Sequence, residues 1–253
     1  MKKAKKTKEA AHTPPWALEA VAHLQKTDPV MARIILEAGP VQITRRPENF
    51  QALVRAIIFQ QLAGSAALAI FNRFVAMIGG GRFPSADKVA AASDEDLRKA
   101  GLSRGKMAYI RDLAAKVRDG RINFRRFPKL DDEEIIAELT AVRGIGRWTA
   151  EMFLMFNLWR PDVLAVGDLG LRSAATRHYG ANVPITEKGL RELGERWRPY
   201  RTAAAWYLWQ SGRIVTPDAV QMKATVARSK KLPAKPPAAR RGRLAAARSS
   251  KTK

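Results

Sequence analysis

The chain is predicted to be all-α, and three observations predict it. Residues that cap and stop helices recur along most of its length. The period-two alternation of a half-buried strand is nearly absent, with "PVQIT" at 40–44 the only weak candidate. Apolar residues make up 46% of the 253, enough to bury a sizeable core in one domain or two packed lobes.

Taken in order, Pro15 opens a first helix and Asp28 caps a second that stops near Gly39. Pro47 opens a long helix through about Gln61, and another runs from about Ser65 to Ile78, ending at "GGG". "SADKVAAA" and "SDEDLRKAG" are short helices with Ser at the N-cap. Ser93 with Asp96 resembles a capping box, and Gly101 ends the second. Ser103 caps a helix through about Val117, and Asp131 with Glu134 starts another that ends near Val142. The next runs from Arg147 to about Leu158. Asp168 and Thr186 cap two more, and Pro199 opens the apolar "PYRTAAAWYLWQ" helix. Residues 1–13 form a basic arm. The tail "SKKLPAKPPAARRGRLAAARSSKTK", 229–253, has no apolar period and is expected to be disordered.

The formal net charge is +23. Residues 1–9 carry +4 and residues 223–253 carry +11, so +8 sits on the part between them, and the folded region is itself cationic. Such a surface attracts phosphates and releases their counterions, which favours nucleic acid over an anionic membrane surface. No cysteine is present, which excludes disulfides, thiolate zinc sites, iron–sulfur clusters and cysteine nucleophiles. His12, His23 and His178 show no ligand spacing, no apolar run approaches a membrane span, and the Lys-rich start lacks a signal peptide's apolar segment. The expectation is an intracellular, soluble protein.

Residues 139–172, "LTAVRGIGRWTAEMFLMFNLWRPDVLAVGDLGLR", hold the chemistry. "GIG" between two helices reads as a tight hairpin in which Gly144 and Gly146 permit positive φ and a close approach. The N–H groups at the start of the second helix then make an anion site with the helix dipole. No Walker lysine follows and no strand precedes, so a DNA phosphate suits this site better than a soluble nucleotide. A plain helical hairpin is the bland alternative. Trp148, in the first turn of that helix, faces either the core or an open cleft. Asp168 is at least a helix cap, and its carboxylate is also suited to meet a cationic transition state at the mouth of a cleft.

Helix, glycine hairpin, helix, a loop with Pro161 and then an Asp resembles the helix–hairpin–helix, Gly/Pro-loop, catalytic-Asp signature of a DNA glycosylase superfamily. The branch it is most similar to is the alkylbase, or 3-methyladenine DNA glycosylase II, family. "RGIGRWTAEMF" and "RPDVLAVGDLGLR" carry most of the match. "AIIFQQLAGSAALAIFNRF" (56–74), "AGLSRGKMAYIRDLA" (100–114) and "WRPYRTAAAWYLW" (197–209) follow the family in the right order. The resemblance spans roughly residues 15–215 and is to the compact members without an N-terminal β domain. It implies two helical lobes around a cleft that takes a DNA base: one from 14–49 with 160–228, carrying Asp168, and one from 50–159, carrying the hairpin.

The resemblance also implies a set of roles. Gln61 and Leu62 enter the duplex where the base has left. Trp148 and Trp209 flank the flipped base, and Met152 forms part of the pocket wall where some relatives carry an aromatic. Gly144, Gly146, Arg147 and Thr149 hold phosphate. Backbone carbonyls of Thr140, Val142 and Ile145 hold a sodium or potassium ion, and no other cofactor is required. Asp168 stabilises the sugar cation and orients water. Members that also cut the strand carry a lysine where this chain has Trp148, so base removal without lyase activity is expected. The implied partner is double-stranded DNA with damaged bases, not a membrane, acted on by a monomer. The expected location is the cytoplasm, at the nucleoid in a bacterium, or the nucleus in a eukaryote. The implied substrates are alkylated purines. Deaminated bases such as hypoxanthine or uracil, and a non-catalytic helix–hairpin–helix DNA-binding protein, stay open as alternatives.

Overall fold

Asp28 shows how local sequence sets the architecture. It caps α2 (Pro29–Ala38) through Val30 and Met31 N–H groups, directly after α1 (Ala17–Thr27), with Pro29 pre-set for the first turn. Its second oxygen accepts the Tyr179 hydroxyl and the Trp197 indole N–H, both at 2.9 Å. Four donors thus meet a fully buried carboxylate, and one residue near the chain start is tied to two elements near its end. The computed structural model describes residues 13–43, 49–180 and 183–212. The basic arm up to residue 12, Thr44, Pro47 and the tail 229–253 lie outside the described residues.

Ten more α-helices follow among the described residues: α3 (Asn49–Phe59), α4 (Gly64–Gly79), α5 (Ala86–Ala91), α6 (Asp94–Lys99), α7 (Arg104–Arg118), α8 (Asp132–Thr140), α9 (Arg147–Phe156), α10 (Leu169–Tyr179), α11 (Glu187–Gly194) and α12 (Arg201–Ser211). The fold is all-α. Helices α1, α2, α10, α11 and α12 pack together as one lobe, and α3 to α9 as the other. The buried apolar residues of both groups join in one continuous interior, which holds Trp197, Tyr207, Phe74 and Phe127.

Ser85, Ser93, Ser103, Asp131, Asp168 and Thr186 all cap as expected. Asp131 and Glu134 form a full capping box. Four expectations need correction. The described part of "PVQIT", 40–43, is no strand: Val41 and Ile43 are almost wholly buried, so the alternation fills the core without a ladder. Ser93 and Asp96 make only half of a capping box, because the Ser93 hydroxyl donates to the Asp96 carboxylate in place of the backbone return. Helix α3 stops at Phe59, since Gln61 adopts a left-handed φ of 56°. Pro199 does not open α12, which starts at Arg201. The Thr202 N–H there is taken by the Pro161 carbonyl, and the Thr202 hydroxyl joins Arg160 O to Val163 N–H. The Pro161 loop is thereby pinned to α12.

Candidate active site

The hairpin runs from Ala141 to Gly146. Gly144 has φ of 78°, and a Cβ there would stand 2.2 Å from the Tyr109 ring, so glycine is demanded twice. Gly146 differs from expectation. It is the N-cap of α9 in an extended conformation, φ −92° and ψ 170°, and needs no positive φ. A Cβ at Gly146 would meet nothing, so its bareness opens the approach to α9 from outside. The first amide of that helix bonded to a carbonyl is that of Ala150, to Gly146 O. The N–H groups of Arg147, Trp148 and Thr149 have no acceptor among the described residues and point out of the helix end, where an anion is favoured.

Side chains fix this hairpin from three directions. Asp112 accepts the Arg143 N–H at 2.8 Å while paired with Lys116. Gln60 donates from Nε2 to the Gly144 carbonyl at 2.7 Å, which ties the end of α3 to the turn. The Arg147 guanidinium is held by the carboxylates of Glu133 and Glu151, so the anion donors here are backbone amides more than the Arg147 side chain. Thr149 is buried and lines a cavity, so its N–H is what it offers the hairpin. Thr140, Val142 and Ile145 line a shallow depression. Val142 O accepts the Ile145 N–H, and the other two accept no backbone N–H among the described residues. Hard carbonyl oxygens of this kind suit an alkali cation.

A cavity of about 530 Å³ lies between α3 and α9. Ala52, Arg55, Ala56 and Phe59 line one wall, and Trp148, Met152 and Phe156 the other. The Arg55 guanidinium stacks on the Phe59 ring, 3.9 Å from its centroid. Trp148 is 51% exposed, so it faces the opening and not the core. Gln61 stands at the rim and Leu62, also exposed, follows it at the tip of the α3–α4 loop. Lys106 closes the end of α3, donating to the carbonyls of Ile58 and Gln60 at 2.7 and 2.8 Å. Burial lowers its pKa below the ordinary lysine value.

Asp168 caps α10 and stands beside this opening. Oδ1 accepts the Leu171 N–H at 2.6 Å and the Trp209 indole N–H at 3.1 Å, and Oδ2 accepts the Trp148 indole N–H at 2.7 Å. The structure therefore brings together Asp168, Trp148, Trp209, Met152, Gln61 and the hairpin. Trp209 sits behind the cavity with its ring tilted against Phe156, centroids 6.2 Å apart, and does not line the cavity itself. Sequence reasoning missed Gln60, Lys106, Tyr109 and Asp112 as supports and Arg55, Phe59 and Phe156 as walls. The walls had a signal: residues 148, 152 and 156, and 52, 55, 56 and 59, fall on single helix faces. The supports had none, since each joins elements far apart in the chain.

A family model described as "HhH-GPD superfamily base excision DNA repair protein" matches residues 54–199. DNA-3-methyladenine glycosylase 1 of Schizosaccharomyces pombe is 35% identical over 201 residues, 78% of this chain and 88% of that protein. The crystal structure of a Bacillus halodurans DNA-3-methyladenine glycosidase superposes with a TM-score of 0.72 at 41% identity, covering 76% of this chain and 88% of that one. The S. pombe 3-methyladenine DNA glycosylase in complex with abasic DNA gives a TM-score of 0.70 at 34% identity, covering 78% and 97%. The chain belongs to the HhH-GPD superfamily of base excision DNA repair proteins, within its 3-methyladenine DNA glycosylase family.

Proposed function

We propose that this protein is a monofunctional DNA glycosylase that removes alkylated purines, of the 3-methyladenine and 7-methylguanine type, from double-stranded DNA. The observation that carries the reading is Asp168, a rigidly held carboxylate beside the mouth of an aromatic-walled cavity that opens next to a helical anion site. The lobes in this reading are 14–49 with 160–228, and 50–159, and the enzyme works as a monomer.

The amides at the start of α9 grip a phosphate. A carbonyl-held sodium or potassium ion at Thr140, Val142 and Ile145 would add positive charge there. Flipping the base out of the stack costs a few kcal/mol, less for a base with weakened pairing. Gln61 and Leu62 fill the gap and offset part of that cost. The base enters the cavity against Trp148. Alkylation at N3 or N7 makes a purine cationic, and an aromatic face attracts such a cation by about 0.5–2 kcal/mol. The same charge makes it a good leaving group, so the electron pair of the C1′–N bond departs with the base and needs little acid help. The Asp168 carboxylate faces the oxocarbenium-like sugar that remains. Water adds at C1′, its proton passes to the carboxylate or solvent, and an abasic site is left in an uncut strand. A Trp at position 148 offers no amine to attack the sugar, and the Lys106 amine is occupied by two carbonyls.

The test is mass spectrometry of bases released from methylated and from deaminated duplex DNA. Release of 3-methyladenine and 7-methylguanine is expected. Release of hypoxanthine or uracil alone overturns the substrate assignment, and release of nothing overturns the enzyme.

A further inference from the structure

Trp148 turns two properties toward the site. Its ring lines the cavity, and its N–H lies 2.7 Å from Asp168 Oδ2. Trp209 reaches the other oxygen from α12, and Leu171 N–H reaches it from within α10. The carboxylate thus takes donors from three helices. An indole N–H only donates, so neither tryptophan can exchange a proton with Asp168, and what they supply is orientation. The Leu171 bond fixes one oxygen and leaves the carboxylate plane free to turn. Donors on both oxygens, from opposite lobes, remove that freedom. Each of these hydrogen bonds is made to a carboxylate, an acceptor that holds its donors more firmly than a neutral oxygen does.

We infer that Trp148 is a positioning residue as well as a stacking surface: it acts through Asp168, its indole N–H fixing Oδ2 as Trp209 fixes Oδ1. The inference rests on Asp168 being the catalytic carboxylate. It links recognition to chemistry in one side chain. A base that fills the cavity presses on the ring whose N–H aims the carboxylate.

A double-mutant cycle on single-turnover excision of 7-methylguanine separates the two roles of Trp148. Trp148→Phe keeps an aromatic face and deletes the N–H. In the native background the excision rate is expected to fall about tenfold to a hundredfold, the effect of one hydrogen bond to a charged group, while affinity for the duplex is kept. In the Asp168→Asn background the same change should cost no more than about twofold, since the partner is already altered. Equal losses in both backgrounds would show stacking alone and overturn the inference. If Asp168→Asn by itself excises at the native rate, the catalytic reading fails instead, a result distinct from additivity. Should Trp148→Phe melt early, a tryptophan analogue with sulfur in place of the indole N–H, placed at 148, keeps the ring and gives the same comparison.

Discussion

The Asp168 carboxylate serves as a helix cap through Leu171 and as a site through the two indoles, and Asp168→Asn separates these roles. Asn is as good an N-cap as Asp, so the thermal melt should hold within a few degrees. On the proposed reading, what disappears is the full charge facing the sugar, and losing one preorganised electrostatic group costs about 10²–10³ in rate. Single-turnover excision of 3-methyladenine should fall by at least that factor, while affinity for DNA with a neutral abasic analogue is retained. Native-like excision with a native melt would reduce Asp168 to a cap. Borohydride present during turnover gives a second check. A Schiff base needs a free amine at the sugar. Position 148 supplies none, and the Lys106 amine is held by two hydrogen bonds, to Ile58 O and Gln60 O. No covalent protein–DNA adduct should be trapped; efficient trapping would mean that lyase chemistry occurs.

The two hairpin glycines fail in different ways when changed. Gly144→Ala forces a Cβ into the Tyr109 ring at φ 78°, so it costs the left-handed penalty of about 1–2 kcal/mol and the clash besides. It should lower the melting temperature by several degrees and weaken DNA binding. Gly146→Ala has room and ordinary dihedrals, and loses only a favoured cap residue, about 1 kcal/mol at most. Its melt should stay near native while DNA affinity falls, because on the proposed reading the added methyl stands where a phosphate approaches. The opposite pattern of melts would refute this assignment. Asp112 makes the hairpin pH-sensitive. Burial raises its pKa, but the bonds from Lys116 and the Arg143 N–H outweigh burial and leave it below the ordinary value. A depressed carboxylate stabilises the fold above its unfolded pKa of about 3.9 and loses that contribution as pH falls through the folded value. Hydrogen-exchange protection of the Arg143 amide should be flat from neutral pH to about 5 and drop below about 4, and this acid-dependent drop should vanish in Asp112→Asn. A flat native profile through that range would release Asp112 from the role. These elements also mark what the sequence could say. Caps were legible because a Ser, Asp or Thr side chain bonds an amide two or three residues on, entirely within a local window. Helix ends were less so: α3 ends where Lys106, 46 residues from Gln60, gathers its last carbonyls. The order of motifs placed Asp168 and Trp148 at one site. The hydrogen bond between them was not legible, because it spans 20 residues and depends on how two lobes meet.

Charge is the property that belongs to the whole molecule. The net +23 is divided between the residues from 10 to 222, which carry +8, and the two ends, which carry the rest. Several of the central cations are already spent inside the protein: Arg147 on Glu133 and Glu151, Lys116 on Asp112, Arg201 and Arg198 on Asp162. On the proposed reading, duplex binding by the folded region draws on the α9 amides and on the cations not paired in this way, while the two ends carry the larger share of the net charge. Residues 229–253 hold nine Lys or Arg and no acid. Each phosphate contact adds about 0.9 to the slope of log affinity against log salt on duplex DNA. Deleting residues 229–253 should therefore reduce that slope by several units and weaken binding to damaged and undamaged DNA by the same factor. Phosphate contacts add affinity without sequence or lesion information. The excision rate at saturating enzyme should not change, since the cavity, Asp168 and the hairpin are intact. Titrations of both variants on matched duplexes, with and without a lesion and from about 50 to 200 mM salt, read all three quantities. An unchanged slope would mean the tail stays off the DNA, and a loss confined to the damaged duplex would give it a part in recognition.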